Sequence, residues 1–272
     1  MKIRPIFYWL QCLVLTLALS FCSNPSGYKT ENSSESEKPL SDSQAWQIID
    51  EAIKVHGGDK YNTAHIEFDF RGRRYTSSRN QSSFIYERIF QDTLKAKPVV
   101  ITDVLNNEGF KRMVGEVEMP LKDDFKARYS RSVNSVLYFV QLPFGLNDPA
   151  VNKKYLGQSI IRGELYDKVE VTFEQESGGE DFQDVFIYWF HSENKTMDYF
   201  AYSYLTDDGG LRFRESINPR TIKGLRFSDY INYKADYDKY KLADLEELFN
   251  KGQLEEISRI ISENIDVELG SD

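Results

Sequence analysis

Apolar and polar positions along the chain follow first a helical and then a strand-like period. Between Ala45 and Ile53 the apolar residues recur at i, i+3, i+4 and i+7, which predicts an amphipathic helix that ends at His56 and Gly57. The period then changes to two, because residues 65–70 alternate polar and apolar side chains. This alternation is typical of a strand with one buried face, and it recurs in most of the segments that follow.

Two further helices interrupt the strand pattern, one at about residues 125–141 and one near residues 242–249. The strand-like segments are joined by short turns rich in Gly, Asn and Asp, which indicates antiparallel neighbours and not βαβ units. We therefore predict an α+β fold for residues 42–272 as a single domain. A curved antiparallel sheet, a half-barrel of roughly ten or eleven strands, would carry two to three helices in or across its concave face.

The N-terminal segment has the pattern of a lipoprotein signal peptide. Lys2 and Arg4 form a basic start, a mostly apolar run follows, and Cys22 comes directly after that run. The run is too short to span a bilayer, which needs about 20 apolar residues. Phe21 departs from the small residue that usually precedes a lipidated cysteine. We predict a signal peptide over residues 1–21 and lipidation at Cys22.

Residues 22–41 are polar, charged and nearly free of aliphatic side chains, which predicts a flexible tether behind the lipid. Ser23 and Asn24 lack the aspartate that favours retention in the inner membrane. We therefore predict a lipoprotein of the bacterial cell envelope, located at the outer membrane.

The charge of the chain excludes one class of partner. The formal net charge is −9, and it becomes −11 if residues 1–21 with Lys2 and Arg4 are removed. Nucleic-acid binding needs a basic footprint, and adhesion to anionic lipid needs one as well. We expect no nucleic-acid partner, and we expect the lipid on Cys22 to provide the contact with the membrane.

The aromatic content raises the question of a pocket, since the chain has 18 Phe and 17 Tyr. A curved sheet with helices in its hollow would leave an apolar pocket between the two layers. The candidates for its lining are aromatic and aliphatic residues of the strands and of the second helix: Ile66, Phe68, Phe70, Tyr138, Phe213 and Phe227. The alternative is that these side chains simply fill the core.

Three arginines are candidates for binding the head group of a ligand. Arg212, Arg214 and Arg226 are predicted to share the polar face of two adjacent strands. Guanidinium groups in such a position can bind a phosphate or a carboxylate. The alternative is a set of cross-strand ion pairs on a solvated face.

The sequence contains no catalytic signature, and it predicts neither a metal site nor a cofactor. Its three histidines form no zinc-ligand spacing such as HExxH, and no Gly-x-Ser-x-Gly elbow occurs. His56 is predicted to be a cation that interacts with the dipole of the first helix at its C-terminal end.

The chain resembles DUF6503, an uncharacterised bacterial lipoprotein family, over about residues 45–269. Two groups of motifs carry the resemblance. The first is Ser132-Val-Asn-Ser-Val with Tyr138-Phe139 and Gln141-Leu-Pro-Phe-Gly-Leu-Asn147, and the second is Arg212-Phe-Arg-Glu-Ser with Asn218-Pro-Arg220, Gly224-Leu-Arg-Phe and Asp229-Tyr230. The order of export signal, capped helix and many strands also resembles, more distantly, the LolA and LolB carriers of outer-membrane lipoprotein sorting. That resemblance implies a half-barrel with an apolar cavity for acyl chains, at the level of the fold.

Three hypotheses about function follow. The first, which we favour, is an anchored envelope lipoprotein that binds a lipid or another apolar ligand in the half-barrel cavity. The second is a protein–protein interaction module of the envelope, with a filled core and an exposed aromatic patch. The third is a hydrolase or lyase with an unfamiliar site, which would show strongly perturbed acids or a histidine in a cleft.

Overall fold

The structure of the protein is a computed structural model that describes residues 40–93, 98–174, 183–205 and 209–270. The predicted signal peptide, Cys22 and nearly all of the predicted tether lie outside the described residues. The described elements belong to one compact unit, Lys38–Asp272, which contains its own hydrophobic core.

Helices and strands divide the described chain as follows. The helices are α1 (Leu40–His56), α2 (Asp123–Val140) and the short α3 (Leu245–Asn250), with 3₁₀ turns at Gly58–Thr63, Phe144–Asn147 and Leu242–Asp244. The strands before α2 are β1 (Ala64–Phe70), β2 (Arg73–Asn80), β3 (Ser83–Asp92), β4 (Val99–Asn106), β5 (Gly109–Val114) and β6 (Val117–Met119). The strands after α2 are β7 (Val151–Ile161), β8 (Glu164–Phe173), β9 (Val185–His191), β10 (Met197–Tyr204), β11 (Gly210–Ile222), β12 (Leu225–Ala235), β13 (Glu255–Ile260) and β14 (Glu263–Leu269).

The strands form two antiparallel sheets of seven strands each. Sheet I has the order β14-β1-β2-β3-β4-β5-β6, and sheet II has the order β13-β12-β11-β10-β9-β8-β7. The short link of Ile261 and Ser262 joins β13 in sheet II to β14 in sheet I. Asp229 of β12 holds this link, since its carboxylate accepts hydrogen bonds from the Ser262 amide and from Arg220, each at 3.0 Å.

This architecture confirms the predicted α+β class, with antiparallel sheets that are not closed and helices packed against them. The described residues form two sheets of seven strands, whereas the hydrophobic alternation indicated roughly ten or eleven strands in one sheet. The difference arises at the edges, because β6 and β13 carry mostly exposed side chains. Such strands have no buried face and therefore no hydrophobic alternation.

Helix α1 covers one face of sheet II, which we call the inner face. Its buried residues Ala45, Ile49 and Ala52 belong to the same cluster as Phe190 and Phe200 of β9 and β10. These residues belong to the i, i+3, i+4, i+7 pattern that predicted the helix. The same apolar stripe therefore packs α1 against sheet II.

Helix α2 packs on sheet I and is held there by a buried ionic network. Val133 and Leu137 are fully buried against sheet I, and the Arg88 guanidinium donates a hydrogen bond to the Ser132 hydroxyl at 2.7 Å. Arg88 in turn donates from Nε to the fully buried carboxylate of Asp103 at 2.9 Å. Arg112 donates to the same carboxylate at 2.6 and 2.9 Å. The network therefore fixes one turn of α2 relative to sheet I.

Helix α3 covers the opposite face of sheet II, the outer face. Leu245, Leu248 and Phe249 pack there against Trp189 and Phe213. Sheet II is thus buried on both sides, which explains why residues 185–190 and 199–204 are aromatic at odd and even positions alike.

His56 is not the helix-end cation that the sequence predicted. The side chain is 3% exposed, and its Nε2 accepts a hydrogen bond from the Met197 amide at 3.1 Å. Burial, together with the nearby charge of Arg226, lowers the pKa of His56 to about 3. The imidazole is therefore neutral at physiological pH and connects the end of α1 to β10.

Candidate functional site

Two adjoining cavities lie between α2 and the inner face of sheet II. Their volumes are about 390 Å³ and about 420 Å³. Both are bordered by Ser135, Phe139 and Tyr202, so the two spaces meet at these three side chains. Each volume falls within the range of roughly 300–1,000 Å³ that is typical of small-molecule sites. We call the two spaces together the α2 groove.

Helix α2 can border the groove because its side chains point in two directions. Ser135 and Phe139 are four residues apart and lie on one side of the helix, towards sheet II. Val133 and Leu137 lie on another side, towards sheet I. The helix is therefore shared between the two sheets.

The second cavity has an aromatic wall. The ring of Phe139 stacks with those of Phe200 and Tyr202, at centroid distances of 5.7 and 6.1 Å. The residues that border this cavity are Asn134, Ser135, Tyr138, Phe139, Phe173, Asp184, Phe186, Tyr202, Tyr204 and Arg212. Stacked rings of this kind offer an apolar surface that favours the acyl chain or ring system of a ligand.

The first cavity is more polar. Ser135, Ser228, Asn232 and Ser262 border it together with Tyr230 and Arg214. Near it, burial raises the pKa of the Tyr138, Tyr188 and Tyr230 hydroxyls, so these phenols remain protonated and can donate hydrogen bonds.

A third cavity of about 350 Å³ continues beyond the second and shares Asn134, Tyr138 and Phe173 with it. It contains Asp148, whose pKa is raised by burial, an effect that the charge of Arg79 opposes. A carboxyl group in such a position is a feature that the enzyme hypothesis requires.

The six predicted lining residues occupy three different places. Phe70 borders the first cavity and Tyr138 the second. Ile66, Phe68 and Phe227 are buried in the cluster between sheet I and α2. Phe213 lies on the outer face of sheet II, where its ring centroid is 4.5 Å from that of Phe249.

The position of Phe213 corrects the assignment of faces on β11. The alternation places Leu211 and Phe213 on one side of the strand and Arg212 and Arg214 on the other, as expected. The apolar side faces α3, and the arginines face the groove. The alternation itself does not determine which side a later helix covers, and α3 follows β11 in the chain.

Two of the three predicted head-group arginines border the groove. Arg214 lies at the first cavity and Arg212 at the second. Arg226 is not brought together with them, because it lies opposite Thr221 beyond an irregularity in the β11–β12 pairing. Its guanidinium is 3.9 Å from the carboxylate of Asp198.

Sequence reasoning did not nominate Ser135, Phe139 or Tyr202, at which the two cavities meet. A signal was present for all three, since Ser135 and Phe139 lie in segments that resemble DUF6503 and Tyr202 lies in a strand with aromatic residues on both faces. Neither pattern distinguishes a residue that borders a cavity from one that fills the core.

Comparison with known proteins identifies the family. A family profile described as DUF6503, a family of unknown function, matches residues 35–262. The chain belongs to this family. No curated protein matches it significantly.

Two solved structures are similar to this DUF6503 member in fold. One is a LolA superfamily protein from Nitrosomonas europaea, with 13% identity, coverage of 84% of this chain and 94% of that chain, and a TM-score of 0.45. The other is a DUF1329 family protein from Desulfovibrio piger, with 11% identity, coverage of 84% and 95%, and a TM-score of 0.47. At these TM-scores neither protein supports a conclusion about the function of the DUF6503 chain.

The structure also brings a serine of β2 next to a histidine and a carboxylate that lie two residues apart on β1. The His65 ring is 2.7 Å from the Ser78 hydroxyl through Nδ1 and 2.9 Å from the Glu67 carboxylate through Nε2. This arrangement on β1 and β2 is the place where the enzyme hypothesis would look for a nucleophile. Glu67 also pairs with Arg74, and none of the three residues borders the α2 groove.

Two further features of this DUF6503 member concern metal binding and membrane-spanning helices. Within the described ranges, no three His, Cys, Asp or Glu side chains are placed to hold a metal ion together. No helix in the same ranges is long and apolar enough to cross a membrane.

Proposed function

We propose that this protein is an anchored envelope lipoprotein that holds a lipid or another apolar ligand in the α2 groove. The observation that carries the proposal is the pair of adjoining cavities between α2 and sheet II. A core in which the aromatic residues packed completely, as in the second hypothesis, would leave no space at Ser135, Phe139 and Tyr202.

The groove suits an apolar ligand because its aromatic walls keep part of their apolar surface exposed to the open space. Phe186 is buried, whereas Phe139 and Tyr202 are half-buried and border both the core and the open space. A ligand that covers these rings gains free energy from the removal of apolar surface from water, at about 25 cal/mol per Å² before the costs of association.

The N-terminal segment supplies the location in this proposal. Cleavage after residue 21 and lipidation of Cys22 would anchor the domain, and the tether up to the start of α1 at Leu40 would hold it about 25 Å from the bilayer as a random coil. We propose the outer membrane because Ser23 and Asn24 follow the cysteine. A lipid-binding domain at that distance can exchange its ligand with the membrane without inserting.

The anchor is tested by one substitution. Cys22→Ser in the full chain is expected to remove the mass of the lipid from the N-terminal peptide and to shift the protein out of the membrane fraction. An N-terminal peptide of unchanged mass in the wild-type protein would contradict lipidation at this position.

The groove is tested with the compact unit, residues 38–272, exported to the periplasm and analysed by lipid mass spectrometry. Ser135→Trp places an indole where the two cavities meet and is expected to remove a co-purified lipid. Lys126→Trp is the matched control, since Lys126 is exposed on the same helix and does not border either cavity. Wild-type protein without lipid, and without affinity for added lipid, would contradict the proposal.

A further inference from the structure

Arg214 has no carboxylate partner in the described part of the chain, whereas several other arginines of the two sheets are held in ion pairs. Arg88 binds Asp103, Arg162 binds Glu215 and Arg220 binds Asp229. Among the described residues, no carboxylate lies within 4.0 Å of the Arg214 guanidinium. The positive charge of Arg214 is therefore uncompensated at close range on the wall of the first cavity.

The environment of Arg214 positions the guanidinium without satisfying it. The group lies 4.7 Å from the centroid of the Phe139 ring and 5.2 Å from that of Phe200. Its Nη2 donates a hydrogen bond to the Tyr202 hydroxyl at 2.9 Å, while its Nε is buried and has no partner. Contact with aromatic faces restricts a guanidinium and leaves its in-plane donors directed away from the rings.

Further unsatisfied polar atoms lie around the same space. The buried hydroxyls of Tyr138 and Tyr188 have no hydrogen-bond partner. Tyr138 borders the second cavity, and Tyr188 is close enough to Arg214 for the arginine charge to oppose the rise in its pKa. Buried donors without partners are uncommon in proteins, and each one needs a reason. An acceptor group on a ligand in the first cavity would supply a partner for Arg214, whereas Tyr138 borders the second cavity and Tyr188 is not among the residues that border either one.

We propose that Arg214 binds the anionic group, a carboxylate or a phosphate, of an amphiphilic ligand whose apolar part occupies the aromatic second cavity. This inference rests on the proposed function and names the class of ligand. The head group would lie in the first cavity beside Arg214 and Ser228. The chain of the ligand would pass between Ser135, Phe139 and Tyr202, where the two cavities meet.

Arg212 provides an internal comparison for this orientation. It lies two residues away on the same face of β11 and borders the second cavity. Its guanidinium donates to the Leu211 carbonyl at 2.9 Å and lies 5.1 Å from the Tyr204 ring centroid. We expect Arg212 to contribute less to binding of the anion, because it borders the aromatic cavity and not the polar one.

The test uses residues 38–272 and two fluorescent probes that differ in one group, cis-parinaric acid and its methyl ester. The wild-type protein is expected to bind the acid more tightly than the ester. Arg214→Gln should weaken binding of the acid roughly 10- to 100-fold, the effect of losing a charge-assisted hydrogen bond, and should leave the ester within about twofold. Arg214→Lys should restore part of the affinity for the acid.

Two controls accompany these variants. Arg259→Gln removes an exposed arginine on β13 that pairs with Glu256, and it should change neither affinity. Unchanged affinity for the ester in Arg214→Gln reports that the groove is still folded. If that variant loses the acid and the ester equally, or if Arg212→Gln alone abolishes the preference for the acid, the proposal for Arg214 is wrong while the binding of apolar ligands stands.

Competition experiments identify the source of the anion. Oleate and a lysophosphatidate of the same chain length are compared as competitors of parinaric acid, and the stronger one identifies the head group. Displacement by inorganic phosphate alone, in a protein that does not bind the ester, would overturn both the amphiphile and the proposed function. Failure of the wild-type protein to bind either probe would contradict the proposed function directly.

Discussion

The inner and outer faces of sheet II carry similar aromatic side chains but are covered in different ways. On the outer face, Phe213 is fully buried and its ring lies against Phe249 of α3. On the inner face, Phe139 of α2 stays half-buried, with a cavity on each side of the point where it meets Tyr202. Similar composition therefore gives a filled interface on one face and a groove on the other.

The difference follows from how each helix is attached. The buried residues of α3 all belong to the cluster on the outer face of sheet II, so α3 can settle at the distance that packs best. Helix α2 is also held by sheet I, through Val133, Leu137 and the hydrogen bond from Arg88 to Ser132. A helix with two attachments cannot approach both surfaces fully, and the remaining space is the α2 groove.

The largest expected effect is a difference in stability between two variants, one at a phenylalanine packed on the outer face of sheet II and one at a phenylalanine that borders the groove on its inner face. Phe213→Ala should destabilise the protein by about 4 kcal/mol, because it leaves a cavity in a packed core, whereas Phe139→Ala should cost less than half as much beside an existing space. Urea unfolding of both variants of residues 38–272 measures the difference. Equal losses would show that the inner face is packed as tightly as the outer one.

The attachment of α2 to sheet I is tested at Asp103. Asp103→Asn leaves the buried charges of Arg88 and Arg112 without their carboxylate and should lower the free energy of unfolding by roughly 3 kcal/mol. We also expect weaker binding of parinaric methyl ester, because α2 would lose its fixed position. Glu255→Gln, in an exposed pair with Lys234, is the control and should have an effect below about 1 kcal/mol.

The neutral state of His56 makes the inner face sensitive to acid. The folded pKa of about 3 lies below the ordinary value of 6.5, so protonation favours the unfolded chain. This contribution is fully present above pH 6.5 and decreases as the pH falls towards 3, by about 2 kcal/mol at pH 5. His56→Gln keeps an acceptor for the Met197 amide and should lose less stability than the wild type between pH 7.5 and pH 5. The same slope in both proteins would contradict a buried neutral histidine.

The smallest expected effect on stability concerns Arg214. Arg214→Met removes an uncompensated charge from the groove and keeps a long side chain over Phe139 and Phe200, so stability should change by less than about 1 kcal/mol or rise. Arg88→Met, which separates a buried ion pair, should destabilise clearly in the same thermal or urea assay. A large loss in Arg214→Met would mean that the arginine serves the fold and not a ligand.

Local pattern accounts for much of the fold. The apolar spacing from Ala45 to Ile53 predicted α1 and its end at His56, and the run around Leu137 predicted α2 to within two residues at each end. The short turn between Asn106 and Gly109 joins β4 to β5 as an antiparallel pair and is one of the predicted short turns rich in Gly, Asn and Asp. These features depend on contacts between near neighbours in the chain, which is why period and turn residues report them.

Assignment of the candidate site was less complete. Of the predicted head-group arginines, Arg212 and Arg214 of β11 border the groove, whereas Phe213, a predicted lining residue, packs on the outer face of sheet II. The sequence of β11 does not show which of its two faces a helix covers, because an alternating strand has two faces and either one can be covered.

The sequence by itself determined the family, the α+β class, the antiparallel strands and the two sets of side chains on each strand. These depend on residue type and on local period. The tertiary structure alone decided that α3 packs on Phe213, that α2 is shared between two sheets, and that Arg214 is left without a carboxylate. These outcomes depend on contacts between distant parts of the chain, and whether two packed surfaces meet or leave a space depends on their fit in three dimensions.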